Sequence, residues 1–328
     1  MSLDIQEVAN LWGKDEPEFQ KLGLAVKSFI KKKISEIEIL PEISHRTKEL
    51  LSIIKKIKKK QRENPQYDYY CLNDKLGIRI ICNFSDDLEN IDKFLFANFN
   101  IIKVERKKEE LDYDRLDYIS NHYDTSIKAD NQAFKSILGL KDLVFEIQVR
   151  TLNQHAWSNA AHSLSYKQEA DLAPHFKRRI YRLLSLYEIA DDEFSSVNKA
   201  LLENPDNKVY TLLRKLEGKI YKFAQVDYDR EMALYDLRLL LSFLTDEEQK
   251  RVFSEIDEFL NINAVKIENI FLENRSRYFE IPILTQPEIF LIWFALEFFL
   301  FSIEDNWDNE FDHFELEQIK ALWGKSID

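Results

Sequence analysis

The sequence predicts an α/β protein, a mixed sheet flanked by helices, that continues into an all-helical C-terminal region. Period-two alternation of apolar residues predicts strands at residues 76–82 and 145–150. Helical spacing of apolar residues dominates beyond residue 171. Only six glycines and seven prolines in 328 residues favour long helices. We therefore expect a first domain over residues 1–170 and a helical domain over residues 171–328.

The charge is unevenly distributed along the chain. The net charge is −12, yet residues 171–328 carry 19 Lys and Arg against 31 Asp and Glu, so the preceding part is neutral. An acidic C-terminal region repels phosphate backbones, which argues against nucleic-acid binding there.

The sequence gives no indication of export or membrane insertion. Cys71 and Cys82 form neither a CxxC pair nor a disulfide framework, which fits a reducing compartment. The N-terminus lacks the basic and apolar regions of a signal peptide. The longest apolar run, residues 289–303, contains Glu297 and is short for a bilayer. We expect a cytoplasmic protein in which this run forms a buried helix or a docking surface.

Two helices are predicted before the first strand. Residues 2–40 have helical periodicity without recognisable chemistry, and an apolar stripe from Leu50 to Ile57 predicts an amphipathic second helix. Residues 46–62 carry eight Lys or Arg against one acid, Glu49. Such a run has two interpretations: a solvated helix face, or a clamp whose cations share the charge of a polyphosphate.

The predicted strand at residues 76–82 is preceded by Asp74. An aspartate at a strand end is often only a turn or cap residue. Paired with Glu146 from another strand, however, it would offer Mg²⁺ the hard oxygen ligands that this ion binds together with substrate phosphates.

A helix at residues 86–96 and a strand at residues 100–104 follow. A charged loop that contains Arg106 then leads to an alternating segment in which Tyr118, Ser120 and His122 point to one side. A tyrosine in a strand is often core filler, but an aromatic ring in this position can also stack on a base.

The segment at residues 144–167 changes from strand to helix periodicity. Glu146, Gln148 and Arg150 form the polar face of a strand, and His155 and His162 then recur at helical spacing. These side chains converge near one strand-to-helix junction, where α/β sheets commonly bind ligands. The alternative is a solvated Glu–Arg pair with structural histidines.

Taken in order, these segments resemble the motifs of the RelA/SpoT-type alarmone synthetases. The pattern RxKxxxSxxxK matches Arg46, Lys48, Ser52 and Lys56, or Lys55 for the last position. The pattern DxxGxRI matches Asp74, Gly77, Arg79 and Ile80, and GYxSxH matches Tyr118, Ser120 and His122. The patterns ExQxRTxxxxxW and HxxxYK match Glu146, Gln148, Arg150, Thr151, Trp157, His162, Tyr166 and Lys167.

The resemblance implies a nucleotidyltransferase-like mixed sheet and a Mg²⁺-dependent pyrophosphokinase. Such an enzyme moves the β,γ-diphosphate of ATP to the 3′-hydroxyl of GDP or GTP, releases AMP and makes the alarmone (p)ppGpp of the stringent response. Asp74 and Glu146 would be catalytic and hold Mg²⁺, with Glu146 also a possible general base. The implied ATP-binding residues are Arg46, Lys48, Ser52, Lys55, Lys56 and Arg79. The implied acceptor-binding residues are Arg106, Tyr118, Ser120, His122, Gln148, His155, His162 and Lys167.

Two departures from the family pattern keep other functions open. Asp117 replaces the glycine before the stacking tyrosine, and Ala161 replaces the glutamate before His162. One alternative is a toxic relative that modifies a tRNA 3′ end or an adenosine nucleotide. Another is a non-catalytic nucleotide sensor. The sequence contains no His-Asp dipeptide, which the family's hydrolase domain would require, and the helical region is a possible surface for a homo-oligomer.

Overall fold

The structure, a computed structural model, describes residues 4–37, 39–106, 120–164, 173–204, 207–224 and 226–325. The chain divides into two compact units. The first comprises Met1–Ile34 and Ile39–Asn198, and the second comprises Ser35–Glu38 and Lys199–Asp328. This division lies further along the chain than residue 170, and the predicted domain boundary stays a prediction.

The first unit contains a mixed five-stranded sheet. Its strands are β1 (Glu42–Thr47), β2 (Leu76–Cys82), β3 (Phe99–Arg106), β4 (Asn121–Ile127) and β5 (Phe145–Thr151), in the order β1-β2-β5-β4-β3. Only the β2 and β5 strands pair in parallel, and the other neighbours are antiparallel. The sheet therefore joins two antiparallel ribbons through one parallel pair at its centre.

One face of the sheet is covered by the hydrophobic core. The core-facing residues Ile78 and Ile80 of β2 and Ile147 of β5 are fully buried, as the period-two alternation predicts. The helices α1 (Ile5–Ile34), α2 (Leu50–Gln61) and α3 (Asp87–Asn98) supply much of the rest of this core. The apolar stripe of α2 is buried, while most of its lysines are exposed.

The first helix approaches the edge of the sheet at Gly23. A Cβ added there would lie 2.7 Å from Cδ2 of His45 and 2.9 Å from Leu76. The absence of a side chain at this position thus lets α1 pack directly on β1 and β2.

Two further helices complete the first unit. The helix α4 (Leu152–Leu164) follows β5 directly, and α5 (Pro174–Glu203) packs against the sheet unit through its residues up to Asn198. Asp191 of α5 accepts hydrogen bonds from the Thr151 hydroxyl at 2.7 Å and from Asn153 at 2.9 Å. The Ser195 hydroxyl accepts a hydrogen bond from the backbone N–H of Ser85 at 2.9 Å. Buried polar contacts therefore fix α5 to the β5–α4 junction.

All regular secondary structure in the described residues of the second unit is helical. Its helices are α6 (Lys208–Phe223), α7 (Arg230–Ser242), α8 (Asp246–Ile262), α9 (Ala264–Asn274), α10 (Ile289–Phe298), α11 (Leu300–Trp307) and α12 (His313–Trp323). The α10 helix is buried on all sides from Ile289 to Leu296. Residues 289–296 of the apolar run are therefore part of a core, whereas Phe298 and Phe301, further along the run, are exposed.

The predicted fold class is confirmed: a mixed sheet is flanked by helices and precedes an all-helical region. The prediction missed β1, because Glu42–Thr47 contains a single buried apolar residue, Ile43, and is too polar for a clear strand pattern. None of the described helices is long and apolar enough to cross a membrane.

Candidate functional site

The uncovered face of the sheet carries polar side chains in two rows. Directly paired residues on neighbouring strands share a face, so the strand register defines these rows. The first row contains Arg46, Gly77, Glu146, Asp124 and Lys103, and the second contains Ser44, Arg79, Gln148, His122 and Glu105.

A first cleft of about 360 Å³ lies over β1, β2 and β5. Its lining residues are Ser44, His45, Arg46, Lys48, Asp74, Gly77, Ile78, Arg79, Glu146 and Gln148. Three cations, Arg46, Lys48 and Arg79, share this cleft with the two carboxylates. The Nε of Arg79 is buried and has no hydrogen-bond acceptor among the described residues. The cleft therefore suits an anionic ligand that supplies acceptor oxygens or a ring.

A second cleft of about 350 Å³ lies on the β4 side of the same carboxylates. Its lining residues are Lys56, Lys60, Tyr67, Cys71, Asn73, Asp74, Lys103, Glu105, His122, Asp124 and Glu146. Asn73 donates to Asp124 at 2.9 Å, which ties the loop before β2 to β4. Asp74 and Glu146 line both clefts, so the two cavities meet at these two side chains.

Two lysines hold the Asp74 carboxylate. Lys48 forms an ion pair with its Oδ2, and Nζ of Lys56 lies 2.6 Å from the same oxygen. Burial opposes ionisation of Asp74, but the hydrogen bonds from Lys48 and Lys56 outweigh it and lower the pKa of Asp74. The hydrogen bond to Asp74 likewise raises the pKa of Lys56 against the effect of burial. Asp74 is thus anionic at neutral pH and held in place from two elements.

Glu146 is held by a chain of side-chain hydrogen bonds. Its Oε1 lies 2.8 Å from Nδ1 of His122, and its Oε2 accepts from Gln148 at 2.6 Å. Arg150 in turn donates to Gln148 at 2.6 Å. Burial opposes ionisation of Glu146, but the hydrogen bond and charge of His122 together with Gln148 lower its pKa. Because an ionised carboxylate only accepts hydrogen bonds, Nδ1 of His122 must donate.

Two arginine side chains, Arg79 and Arg150, lie next to these hydrogen-bonded side chains. Burial and the charge of Arg79 lower the pKa of Arg150 to about 10. Burial and the charges of Arg150 and Arg79 lower the pKa of His155. His155 is therefore neutral near pH 7 and belongs to the surroundings of Arg79 and Arg150.

The two shared carboxylates offer oxygen ligands to a divalent cation. The Oδ1 of Asp74 is buried and has no hydrogen-bond partner among the described residues, so it retains lone pairs for a ligand. No cluster of three or more His, Cys, Asp and Glu side chains with metal-binding geometry occurs in the described parts of the chain. A two-carboxylate set that needs further oxygens from substrate phosphates is typical of Mg²⁺.

Several predicted site residues lie together in these clefts. Arg46, Lys48, Arg79 and Gln148 line the first cleft, and Lys56 and His122 line the second. Gln148, which we expected to bind the acceptor nucleotide, thus lines the same cleft as residues that we expected to bind ATP. Arg46 lies on β1 and not on the cationic helix.

The other predicted site residues either do not line these clefts or have side chains outside the described part of the chain. Ser52, Lys55, Ser120 and His155 are absent from the described lining of both clefts, and Lys55 is exposed. Tyr118 and Lys167 lie outside the described residues, as do Asp117 and Tyr166. The structure describes only the backbone of Arg106, His162 and Ala161.

The sequence reasoning missed seven residues of the second cleft: Lys60, Tyr67, Cys71, Asn73, Lys103, Glu105 and Asp124. Asp124 follows His122 by two positions on β4, so the period-two rule that selected His122 also selects Asp124. Tyr67 and Asn73 lie between α2 and β2, where no periodic pattern marks them. Burial raises the pKa of the Tyr67 hydroxyl.

Comparisons with known proteins identify relatives of the first unit. A family model described as "Region found in RelA / SpoT proteins" matches residues 45–171. The GTP pyrophosphokinase YjbM of Bacillus subtilis (strain 168) is 27% identical over 165 residues, which are 49% of this chain and 73% of that protein.

Two solved structures are also similar to this chain. Small alarmone synthetase 1 from Bacillus subtilis has a TM-score of 0.48 at 23% identity. This match covers 60% of the present chain and 100% of the synthetase chain. A GTP pyrophosphokinase family protein from Streptococcus pneumoniae has a TM-score of 0.47 at 21% identity. This match covers 62% of the present chain and 97% of the Streptococcus pneumoniae chain.

Proposed function

We propose that this chain is a Mg²⁺-dependent pyrophosphokinase of the RelA/SpoT family, whose model matches residues 45–171. It transfers the β,γ-diphosphate of ATP to the 3′-hydroxyl of GDP or GTP, and it produces AMP and (p)ppGpp. The curated relative, a GTP pyrophosphokinase, supports this activity.

The observation that carries the proposal is that two separate clefts share Asp74 and Glu146. A transferase with two nucleotide substrates must bring a donor phosphate and an acceptor hydroxyl to one point. Each cleft is large enough for part of a nucleotide, and both open onto the same pair of carboxylates. A protein that bound a single ligand would need only one of these clefts.

The donor, ATP, binds in the first cleft. Arg46 and Arg79 lie on neighbouring strands of its polar face, where planar guanidinium groups stack on an adenine ring or bind phosphate oxygens. Lys48, which lines the first cleft, and Lys56, which lines the second, both bind Oδ2 of Asp74, where they would neutralise the triphosphate. Catalysis of phosphoryl-type transfer rests mainly on such positioning and charge neutralisation.

The acceptor binds in the second cleft, with its 3′-hydroxyl toward Glu146. In the reaction a bond forms between the β-phosphorus of ATP and the 3′-oxygen. The bond from that phosphorus to the oxygen bridging the α- and β-phosphates breaks, and AMP leaves with the electron pair. The hydroxyl proton passes to Glu146, the general base, whose carboxylate is held by hydrogen bonds with His122 and Gln148.

Asp74 and Glu146 would hold Mg²⁺ between the clefts, together with phosphate oxygens of ATP. The bound ion supplies charge neutralisation for the transferred diphosphate. The free Oδ1 of Asp74 supports this assignment. We also propose a cytoplasmic location, where both nucleotide substrates are present.

The proposal is tested by incubating the full chain with Mg²⁺ and ATP labelled in the γ-phosphate, in separate reactions with GDP, GTP, AMP and tRNA. We expect label on the guanine nucleotide and an equal amount of AMP. Omission of Mg²⁺, or the Glu146→Gln variant, should abolish both products. Label that appears only on tRNA or on AMP would assign the same chemistry to another acceptor. Thermal stabilisation by guanine nucleotides without AMP release would identify a sensor instead.

A further inference from the structure

Asp124 is a carboxylate of the second cleft that the proposed mechanism does not use. It lies on β4 two residues after His122, and its direct partner in the pairing of β4 with β5 is Glu146. Directly paired residues of antiparallel strands lie on the same face of a sheet, with Cβ atoms about 4.5–5.5 Å apart. Two carboxylates therefore stand side by side on the polar face, and both line the second cleft.

One hydrogen bond positions Asp124 and leaves part of its carboxylate available. Nδ2 of Asn73 donates to Oδ2 of Asp124 at 2.9 Å, and Asn73 directly precedes Asp74 in the chain. No other described residue donates a hydrogen bond to the Asp124 side chain. Because this side chain is only half-buried, its Oδ1 can accept a hydrogen bond from a ligand in the cleft.

Two other roles for this carboxylate do not fit the structure. Asp124 forms no ion pair with a described residue: Lys103, its partner in the β3–β4 register, binds Oε1 of Glu105 at 2.5 Å. A third metal ligand beside Asp74 and Glu146 is not indicated either, since the described residues contain no such group of three with metal-binding geometry. Asp124 is thus a fixed hydrogen-bond acceptor whose partner is still to be found.

The chemistry of a carboxylate restricts what this partner can be. An ionised carboxylate only accepts hydrogen bonds, so the ligand group must donate. Nucleotide phosphates are themselves acceptors and carry like charge, whereas the ribose hydroxyls and the base N–H groups donate. In the proposed reaction Glu146 faces the 3′-hydroxyl, and Asp124 is its neighbour in the same row. The donor nearest to Asp124 is therefore the vicinal 2′-hydroxyl, a group that carboxylates also bind in dinucleotide-binding folds.

We propose that Asp124 accepts a hydrogen bond from the 2′-hydroxyl of the acceptor nucleotide and makes the second cleft selective for ribonucleotides over 2′-deoxyribonucleotides. The inference rests on the proposed function for the placement of the acceptor in this cleft. Glu146 and Asp124 then bind the two hydroxyls of one ribose, which orients the 3′-oxygen for attack. A site that hydrogen-bonds a hydroxyl discriminates against an analogue without it, because the site loses its partner.

The first test measures binding in the absence of transfer. The dissociation constants of GDP and 2′-deoxy-GDP for the full chain are measured by calorimetry with Mg²⁺ and without ATP. We expect the wild type to bind GDP about tenfold more tightly or better, as one charge-assisted hydrogen bond provides. Asp124→Ala should weaken the binding of GDP and leave that of 2′-deoxy-GDP nearly unchanged. A wild type that binds both nucleotides equally, or that does not bind GDP, would overturn the inference.

Asn73→Ala is the matched control for Asp124→Ala. Both substitutions remove the hydrogen bond between Asn73 and Asp124, but only Asp124→Ala removes the carboxylate. We expect N73A to keep the wild-type preference for GDP, with circular dichroism confirming that both variants are folded. An equal loss of preference in the two variants would show that Asp124 only anchors the loop before β2, and the inference would be wrong.

The second test compares kcat/KM for GDP and 2′-deoxy-GDP with ATP as the donor. The ratio of the two values should fall in D124A and stay at the wild-type level in N73A. Inosine diphosphate, which lacks the exocyclic amino group of guanine, serves as a further acceptor. If D124A lost discrimination against inosine diphosphate and kept it against 2′-deoxy-GDP, Asp124 would contact the base and the inference would fail.

The two tests separate this inference from the proposed activity. A preference for GDP in binding, without release of AMP from ATP, would reject the pyrophosphokinase and leave the 2′-hydroxyl contact in place. Transfer to GDP and 2′-deoxy-GDP with equal kcat/KM would reject the contact and leave the activity in place.

Discussion

Asp74 and Glu146 line the same two clefts although they come from different segments of the chain and have different supporting residues. Asp74 is held by Lys48 and Lys56, and Glu146 by His122 and Gln148. The partners lower the pKa of both carboxylates despite burial. The charge of Asp74 acts to raise the pKa of Glu146, and a divalent cation bound by both carboxylates would relieve this repulsion.

Removal of the Glu146 charge should abolish transfer and leave the fold intact. Glutamine keeps the size of the side chain, but it weakens both the hydrogen bond with His122 and the binding of a cation. We expect kcat to fall by about a hundredfold or more with an unchanged circular dichroism spectrum. Glu89→Gln, on the exposed surface of α3, is the control. Turnover of E146Q near the wild-type level would contradict the assigned role.

Lys56 and Lys55 provide a matched pair of substitutions. Lys56→Ala removes a hydrogen bond from Asp74, so kcat/KM should fall by about tenfold or more, which corresponds to about 1.4 kcal/mol. Lys55→Ala should have little effect, because Lys55 is exposed and contacts neither cleft in the described residues. Equal losses of kcat/KM in the two variants would contradict a specific role of Lys56 and would instead indicate that all the lysines of α2 contribute similarly to binding.

The acid limb of the pH profile should also respond to Lys56. In the folded chain the pKa of Asp74 lies below its ordinary value of 3.8, so activity and the stability from this carboxylate are lost only when the pH falls through that depressed value. Lys56→Ala raises the pKa of Asp74 and should move the acid limb of kcat/KM to higher pH. An acid limb that stays in place would show that another group controls it.

Asp191 should contribute to the stability of the first unit. It is buried and accepts from Thr151 and Asn153, so Asp191→Ala leaves two polar side chains without this acceptor. The loss should lower the free energy of unfolding by about 1–3 kcal/mol, measured by urea denaturation. Asp192→Ala is the control, since Asp192 is exposed next to it. Equal stability of the two variants would count against the contact.

Glu288 should make the second unit less stable as the pH rises. Burial raises the pKa of Glu288 to about 8 from an ordinary value of 4.5, and neither oxygen has a partner among the described residues. Between these values the folded chain keeps a proton that the unfolded chain has released, so stability falls as pH rises from about 5 to 8.

Glu288→Gln should therefore reduce this dependence, as measured by thermal unfolding at several pH values. Burial also raises the pKa values of Asp236 and Glu315. These two residues lower the stability in the same direction as pH rises, so E288Q should keep part of the pH dependence. Glu280→Gln, a more exposed substitution, should keep the wild-type dependence. A slope that E288Q leaves unchanged would contradict the buried, protonated state of Glu288.

The sequence by itself determined which residue types stand on each face of β2 and β5, and where strand changes to helix after Thr151. These features depend on local backbone geometry, because side chains alternate along a strand and repeat every 3.6 residues along a helix. The motif order from Arg46 to Lys167 likewise needed no coordinates. The helical nature of the C-terminal region followed from the same periodicity.

Only the tertiary structure decided which of these residues meet. Glu42–Thr47 is a strand because β2 offers it backbone hydrogen bonds, and its own side chains hardly indicate this. The packing of α2 directs Lys56, and not Lys55, to Asp74. Strand register aligns Gln148 with Arg79 in the first cleft, and burial on all sides makes α10 a core helix. Pairing, register and burial join residues that are distant in the chain, so no local pattern encodes them.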